Sequence, residues 1–311
     1  MENRKIGSLE VSAVGVGCNN FGRRLDQAGT REVVAAALEN GINFFDTADI
    51  YGTGLSEEYL GKALGNRRGD AVVATKFGMK MSEEKRGAHP DYIRSAVEDS
   101  LRRLGTDWID FYLLHEPDPS VPIADTLGAL NDLVQRGLVR EIGCSNFSVA
   151  QLQEAQDASA ANGWAAFRGV QNRYSALHRE PERDGVLDWC ADNDMAFIPF
   201  FPLHNGVLTG KYRAGRDLPT DTRLHGTPRG EELLTQDNLE LVEELIGFCD
   251  SHGHSLLELA FGWLLARPQV ASVIAGATKV SQIEANAAAA GWLPSAAEQS
   301  GIAEILERHG Y

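Results

Sequence analysis

The sequence predicts an α/β protein of one domain spanning residues 1–311, a (β/α)8 TIM barrel entered through a short N-terminal β-hairpin. Three observations predict it. Eight short apolar segments, at 12–18, 42–47, 71–76, 109–115, 140–145, 169–174, 196–201 and 271–277, have the length and composition of buried strands. Stretches with helical spacing lie between them, and the first six units recur about every 30 residues. No linker-like stretch divides the chain. Strands that alternate with helices run parallel under a cover of those helices, and eight such units are the number that closes a ring.

The N-terminal "RKIGSLEV" reads as two short strands around Gly7. "SAVGVGC" is the first barrel strand; with "NNFG" it starts like the dinucleotide fingerprint G-x-G-x-x-G of an open doubly wound sheet, but Asn20 stands at the third glycine. "INFFDT" gives the second strand, Gly52-Thr53-Gly54 a turn, and "SEEYLGKAL" a capped helix. "AVVATK" and "IDFYLLH" flank the helix "DYIRSAVEDSLRRLG", which stops at Gly105. Helical patterns in "ADTLGALNDLVQRG", "VAQLQEAQDASA" and "PERDGVLDWCADND" separate the later strands. "GVLTGKY" has three residues rather than four between its glycines, with Tyr212 where a phosphate loop needs a hydroxyl for magnesium, so nucleotide hydrolysis is not expected.

Composition narrows the function. The 43% hydrophobic and 23% charged content is ordinary for a soluble globular protein. A formal charge of −15 excludes a general binder of nucleic acid or anionic membrane, while leaving room for a local basic pocket that takes one small anion. The N-terminal stretch lacks the apolar core of a signal peptide and no segment is apolar enough for a membrane helix, so a cytoplasmic location is expected. Cys18, Cys144, Cys190 and Cys249 are widely spaced and read as silent buried thiols. His252 and His254 straddle a glycine between helical patterns, which reads as a solvated helix end; no metal site is expected.

Chemistry in such a barrel sits where the strands deliver their last residues. The second strand ends at Asp46 with Tyr51 just beyond, the third at Lys76 and the fourth at His115. Alone, a strand-end lysine snorkels and a strand-end histidine is a satisfied core group. Three consecutive strands ending this way indicate a site suited to proton transfer at a carbonyl oxygen. A free phenol has a pKa near 10, and the Lys76 ammonium is expected to bring Tyr51 down toward the working range. Asp46 would hold Lys76, and His115 would position the substrate oxygen. None of these residues can supply a hydride, so a cofactor must.

With "GINFFDTADIYGTGLSEEYLGKAL", "VVATKFG", "DFYLLHEPDP", "GLVREIGCSNF", "PFFPLHNGVLTGKY" and "VIAGATKVSQIEANAAAA" in this order, nearly the whole chain resembles an aldo-keto reductase. The resemblance implies a barrel that binds extended NAD(P)H and a tetrad of Asp46, Tyr51, Lys76 and His115. It implies that Ser145, Asn146 and Gln171 hold the nicotinamide carboxamide and that Phe200 stacks on the ring. Leu203, Gly210 and Lys211 match the loop over the pyrophosphate, and Gly276, Thr278, Lys279, Gln282 and Asn286 match the adenosine end. Gln282 stands where many members carry an arginine for the 2′-phosphate; with Lys279 compensating, NADPH is expected and NADH stays possible.

The expected function is NADPH-dependent reduction of aldehydes or ketones. The alternatives are an NAD-dependent sugar or alcohol dehydrogenase, and a nicotinamide-binding redox-sensing regulatory subunit with little turnover. The expected partner is a small carbonyl or sugar substrate. Glu116, directly after His115, either turns outward or faces the mouth, and in the second case its charge would favour neutral substrates over carboxylates or phosphates.

Overall fold

The computed structural model describes residues 1–311. Its strands are β1 (Asn3–Ile6), β2 (Leu9–Ser12), β3 (Val14–Gly17), β4 (Phe44–Asp46), β5 (Val72–Phe77), β6 (Ile109–Leu114), β7 (Val139–Ser145), β8 (Phe167–Gln171), β9 (Ala196–Phe197) and β10 (Val273–Gly276). The helices are α1 (Gln27–Glu39), α2 (Leu55–Leu64), α3 (Pro90–Leu104), α4 (Ile123–Gln135), α5 (Val149–Asn162), α6 (Glu180–Arg183), α7 (Val186–Asp192), α8 (Pro228–Leu233), α9 (Gln236–His252), α10 (Leu256–Leu265), α11 (Val280–Ala289) and α12 (Ala296–Arg308). No helix is long and apolar enough to cross a membrane.

Eight strands form one parallel sheet in the order β10-β3-β4-β5-β6-β7-β8-β9. The ring closes between its two ends through single backbone bonds. Phe197 N donates to Gln269 O at 2.7 Å, Ala271 N to Phe197 O at 2.9 Å and Ile274 N to Pro199 O at 3.5 Å. The strand expected over 196–201 is therefore only two residues long. Pro199 can accept but has no N–H to donate, and Phe201 turns to φ 55°, which ends extended structure.

The hairpin is present as expected, with Asn3 opposite Ser12 and Ile6 opposite Leu9. Its apolar residues plug the barrel. Ile6, Leu9 and Val11 pack with Phe44, Ala74, Phe111 and Leu113 inside the ring, each contributing about 1.5–3 kcal/mol of burial. With that end filled, the open end of the barrel is the one where the strands finish.

α2 starts differently from expectation. Its N-cap is Gly54 at φ 92°, with no side-chain cap. Ser56 instead lies buried inside the helix, where its Oγ donates to Cys18 O at 2.8 Å and shares a 2.8 Å bond with Thr47 Oγ1. One hydroxyl thus ties the ends of β3 and β4 to α2, across the segment that carries Tyr51. Later helices use ordinary chemistry, with capping boxes at Ser148/Gln151, Ser255/Glu258 and Ser295/Glu298. All four cysteines are buried and unpaired. His252 Nδ1 lies 2.8 Å from Phe248 O at the end of α9, and His254 stacks on Trp292.

Candidate active site

Strand alternation explains how three charged or polar side chains reach the barrel interior. Phe44, Ala74, Phe111 and Leu113 face inward. Counting by two along each strand gives Asp46, Lys76 and His115 as the next inward positions. Parallel register sets them side by side, with Asp46 opposite Ala74 and Lys76 opposite Leu113. His115 is one residue past β6, held in line by its N–H to Phe77 O at 2.8 Å.

Lys76 is fully buried, and its Nζ donates to Asp46 Oδ2 at 2.8 Å and to Thr47 O at 2.7 Å. Burial works against the ammonium, but the Asp46 carboxylate and the Tyr51 phenol outweigh it and hold its pKa above the ordinary lysine value. The other Asp46 oxygen accepts from Gln171 Nε2 at 2.9 Å. Nζ lies 5.2 Å from the centre of the Tyr51 ring, and that ring meets His115 edge-on with centroids 5.9 Å apart. The four residues therefore form one contiguous cluster.

The electrostatics correct one expectation. Burial raises the Tyr51 pKa above 10.0; Lys76 opposes this, while Asp46 and Cys18 add to it. Lys76 does not bring the phenol into the neutral range because burial outweighs its charge, with Asp46 adding to the rise. Tyr51 remains protonated, as a donor must. Burial first, and the Lys76 charge second, push His115 down to about 3, so the imidazole is neutral and has one N–H to offer. Its Nδ1 is buried without a partner.

The cluster opens into a cleft of about 550 Å³, whose wall includes Asp46, Tyr51 and His115. The other charged residues on this wall are Arg24, Lys211 and Arg223, so the cleft is basic in a protein of charge −15. The Arg24 and Arg23 charges, after partial burial, lower the pKa of Arg223, which places three guanidiniums close together.

A model of the aldo/keto reductase family matches residues 13–307. The chain belongs to this family. Aldo-keto reductase YhdN of Bacillus subtilis is 32% identical over 308 residues, covering 96% of this chain and 91% of that protein. A fission-yeast relative, Aldo-keto reductase yakc [NADP(+)] of Schizosaccharomyces pombe, is 33% identical over 91% of this chain and 85% of its own. Among solved structures, a glycerol dehydrogenase from Gluconobacter oxydans superposes with a TM-score of 0.86 at 29% identity, covering 99% of this chain and 96% of that one. This aldo/keto reductase is an NAD(P)H-dependent oxidoreductase acting on carbonyl and alcohol groups.

The reductase brings most of the residues expected at the cofactor into the same cleft. Ser145, Asn146, Gln171, Phe200, Leu203, Lys211, Gly276, Thr278, Gln282 and Asn286 all line it. Gly210 and Lys279 do not line it. Lys279 is the exposed N-cap of α11, and Gln282 Oε1 accepts from Thr278 N at 2.7 Å, so Gln282 ties down the start of that helix. Asn19, Asn20, Arg24, Asn205 and Arg223 line the cleft without having been expected there. Their loops have no periodicity, and in the sequence only their polarity distinguishes them. Glu116 is exposed, lies outside the cleft wall and has no ion-pair partner, so it gives no reason to favour neutral substrates.

Proposed function

We propose that this aldo/keto reductase reduces aldehydes or ketones to alcohols with NADPH, and that Tyr51 is the proton donor. The observation that carries this reading is the meeting of a protonated phenol, a neutral imidazole and a buried Lys76–Asp46 pair at one end of a basic cleft.

The cleft residues fit a dinucleotide. Gly276 is where the chain permits close approach, since a Cβ there would lie 3.1 Å from Asn20 Nδ2 and 3.3 Å from Asn19 Oδ1. Asn205 Nδ2 is buried at the cleft without a partner, as a group awaiting an acceptor would be. Gln171 spends its Nε2 on Asp46, which leaves its Oε1 to accept from a carboxamide. Asn146, at φ 62°, donates from Nδ2 to His115 O at 3.0 Å and to Ser145 Oγ at 3.1 Å, which leaves its Oδ1 to accept from a carboxamide. Phe200 offers a stacking face, and Lys211, Arg24 and Arg223 supply charge for phosphates. Bound nicotinamide supplies the hydride.

The protein's part is set by these contacts. His115 donates from Nε2 to the substrate carbonyl oxygen, fixing it beside Tyr51. As negative charge develops on that oxygen, Tyr51 releases its proton to it. Lys76 then stabilises the phenolate left behind, and Asp46 keeps Lys76 in place.

Turnover of a panel of aldehydes, ketones and aldoses with NADPH and with NADH tests this reading. Faster reduction with NADPH supports it; absence of turnover with either cofactor defeats it and leaves the regulatory alternative. The likeness to a glycerol dehydrogenase favours a second reading, oxidation of an alcohol or sugar, which the same panel run with polyols and both oxidised cofactors separates.

The cofactor preference has its own test. Arg223 is on the cleft wall and Lys279 is not, so Arg223→Ala is expected to weaken NADPH binding by about 1.5–3 kcal/mol, as for a charged hydrogen bond. Lys279→Ala is expected to change it little. Fluorescence titration of both variants with NADPH and NADH decides this; a larger loss from Lys279→Ala would return the phosphate to that lysine.

A further inference from the structure

Asp49 lies between Asp46 and Tyr51 in the chain, yet it is not on the cleft wall. It is 1% exposed and faces the layer between the barrel and its helices. Tyr92 of α3 donates its hydroxyl to Asp49 Oδ2 at 3.3 Å, whereas Oδ1 is buried without a partner. The Tyr112 hydroxyl on β6 is also buried and unpartnered.

A second carboxyl shares this layer. Glu57 of α2 is fully buried, accepting from Thr75 Oγ1 at 2.6 Å and from Arg103 Nε at 2.6 Å. Arg103, on α3, spends its remaining reach on Ser100 Oγ at 3.2 Å and on Asp99 Oδ2 at 3.9 Å. The groups that face Asp49 are thus Glu57 from α2, Tyr92 and Arg103 from α3, with Asp99 behind them, and Tyr112 from β6. Two buried carboxyls meet one guanidinium, and the guanidinium bonds the other one. An ionised Asp49 would lack a cation of its own and keep an orphaned oxygen. Burial, and then Glu57, push its pKa up to about 7, with Arg103, the Ile50 N–H and the Tyr92 hydroxyl opposing only in part.

The same residue anchors the loop that carries the phenol. Asp49 N donates to Lys76 O at 3.1 Å, Thr47 N to Ala74 O at 2.8 Å and Tyr51 N to Ala48 O at 3.1 Å. The backbone hangs from β5, and the Asp49 side chain is its tie to α3.

We propose that Asp49 is a positioning residue for Tyr51, working as a neutral carboxylic acid that fastens the 47–51 loop to α3. The proposal rests on Tyr51 being the proton donor. Once ionised, Asp49 is repelled by Glu57 and drawn toward water, and the loop shifts with it. The folded protein keeps this proton up to about pH 7, while an unfolded chain releases it near 4. Ionisation therefore opposes folding increasingly from about pH 4 to about pH 7, and fully above that.

The test compares wild type, Asp49→Asn and Asp49→Ala by single-turnover carbonyl reduction between about pH 5.5 and about pH 8.5, a range that brackets the pKa of about 7, with cofactor affinity and Tm measured alongside. Asp49→Ala is expected to slow reduction at least about tenfold with cofactor affinity unchanged, the penalty of a misplaced donor. Asp49→Asn, which mimics the neutral acid, is expected to keep the rate at low pH. Its rate relative to wild type should rise as pH passes through about 7, and its Tm advantage over wild type should grow from about pH 5.5 to about pH 7 and level off above that. A constant ratio across this range overturns the proposal even where Asp49→Ala fails to fold, as does an equal loss in both variants or a normal rate in Asp49→Ala. Adding Asp49→Ala to Tyr51→Phe separates the two readings. If Tyr51→Phe alone reduces normally, the assignment of the donor fails; if it is inactive while Asp49→Ala is normal, only the positioning role fails.

Discussion

Tyr51→Phe is expected to slow carbonyl reduction by at least about 100-fold, the lower end of what a general acid contributes, with cofactor affinity little changed. The substitution removes one oxygen and keeps the ring, so the edge-on packing against His115 and the Lys76 contact with the ring face both survive. What is lost is a proton held ready beside the oxygen that becomes an alkoxide. His115 cannot take over, because with its pKa at about 3 it is neutral and is a much weaker acid than an imidazolium. Single-turnover kinetics with NADPH measure the effect; a rate near that of wild type would remove Tyr51 from the donor role.

Lys76→Met should affect both catalysis and stability. The side chain fills much the same volume but leaves Asp46, whose side chain is 6% exposed, without its cation, and orphans Thr47 O. Breaking one side of a buried pair costs about 3–5 kcal/mol. Gln171 Nε2 offsets part of this by continuing to donate to Asp46 Oδ1. The double variant Asp46→Asn with Lys76→Met should recover much of the stability and none of the activity, since a neutral pair satisfies burial but cannot stabilise a phenolate. Denaturant unfolding and turnover of the three proteins check this. Recovery of activity in the double variant would mean that the ammonium is dispensable.

Periodicity and spacing made the strand ends legible in the sequence. The apolar runs ended at or beside Asp46, Lys76 and His115; in the structure β5 runs one residue past Lys76 and β6 stops one short of His115. Burial was harder to read. That Tyr51 would be raised rather than lowered depends on how deep the phenol sits and on how much Asp46 adds to the rise, neither of which spacing encodes. The shortening of β9 arises because Pro199 cannot donate across the closure and because Phe201 leaves extended geometry, which local composition did not anticipate. Arg24 and Arg223 meet at the cleft from loops about two hundred residues apart in the chain, and loops without periodicity give no register from which to infer a meeting. Lys279 shows the converse: its place in a matching motif did not fix the direction of an N-cap side chain.

The way the ring closes has a mechanical consequence. Between β5 and β6, or β6 and β7, neighbours exchange hydrogen bonds over four or more residues, whereas the join rests on isolated bonds, from Phe197 to Gln269 and Ala271 and from Pro199 to Ile274. A hoop under strain parts at its weakest stave. Local opening takes the path that sacrifices the fewest bonds, so fluctuations of the wall should concentrate along this line, and its amides should exchange with solvent before those of β5 to β7. The segment that departs from that line runs through Phe200, Leu203 and Asn205 along the cleft, so a nucleotide resting there would brace the hoop at its join.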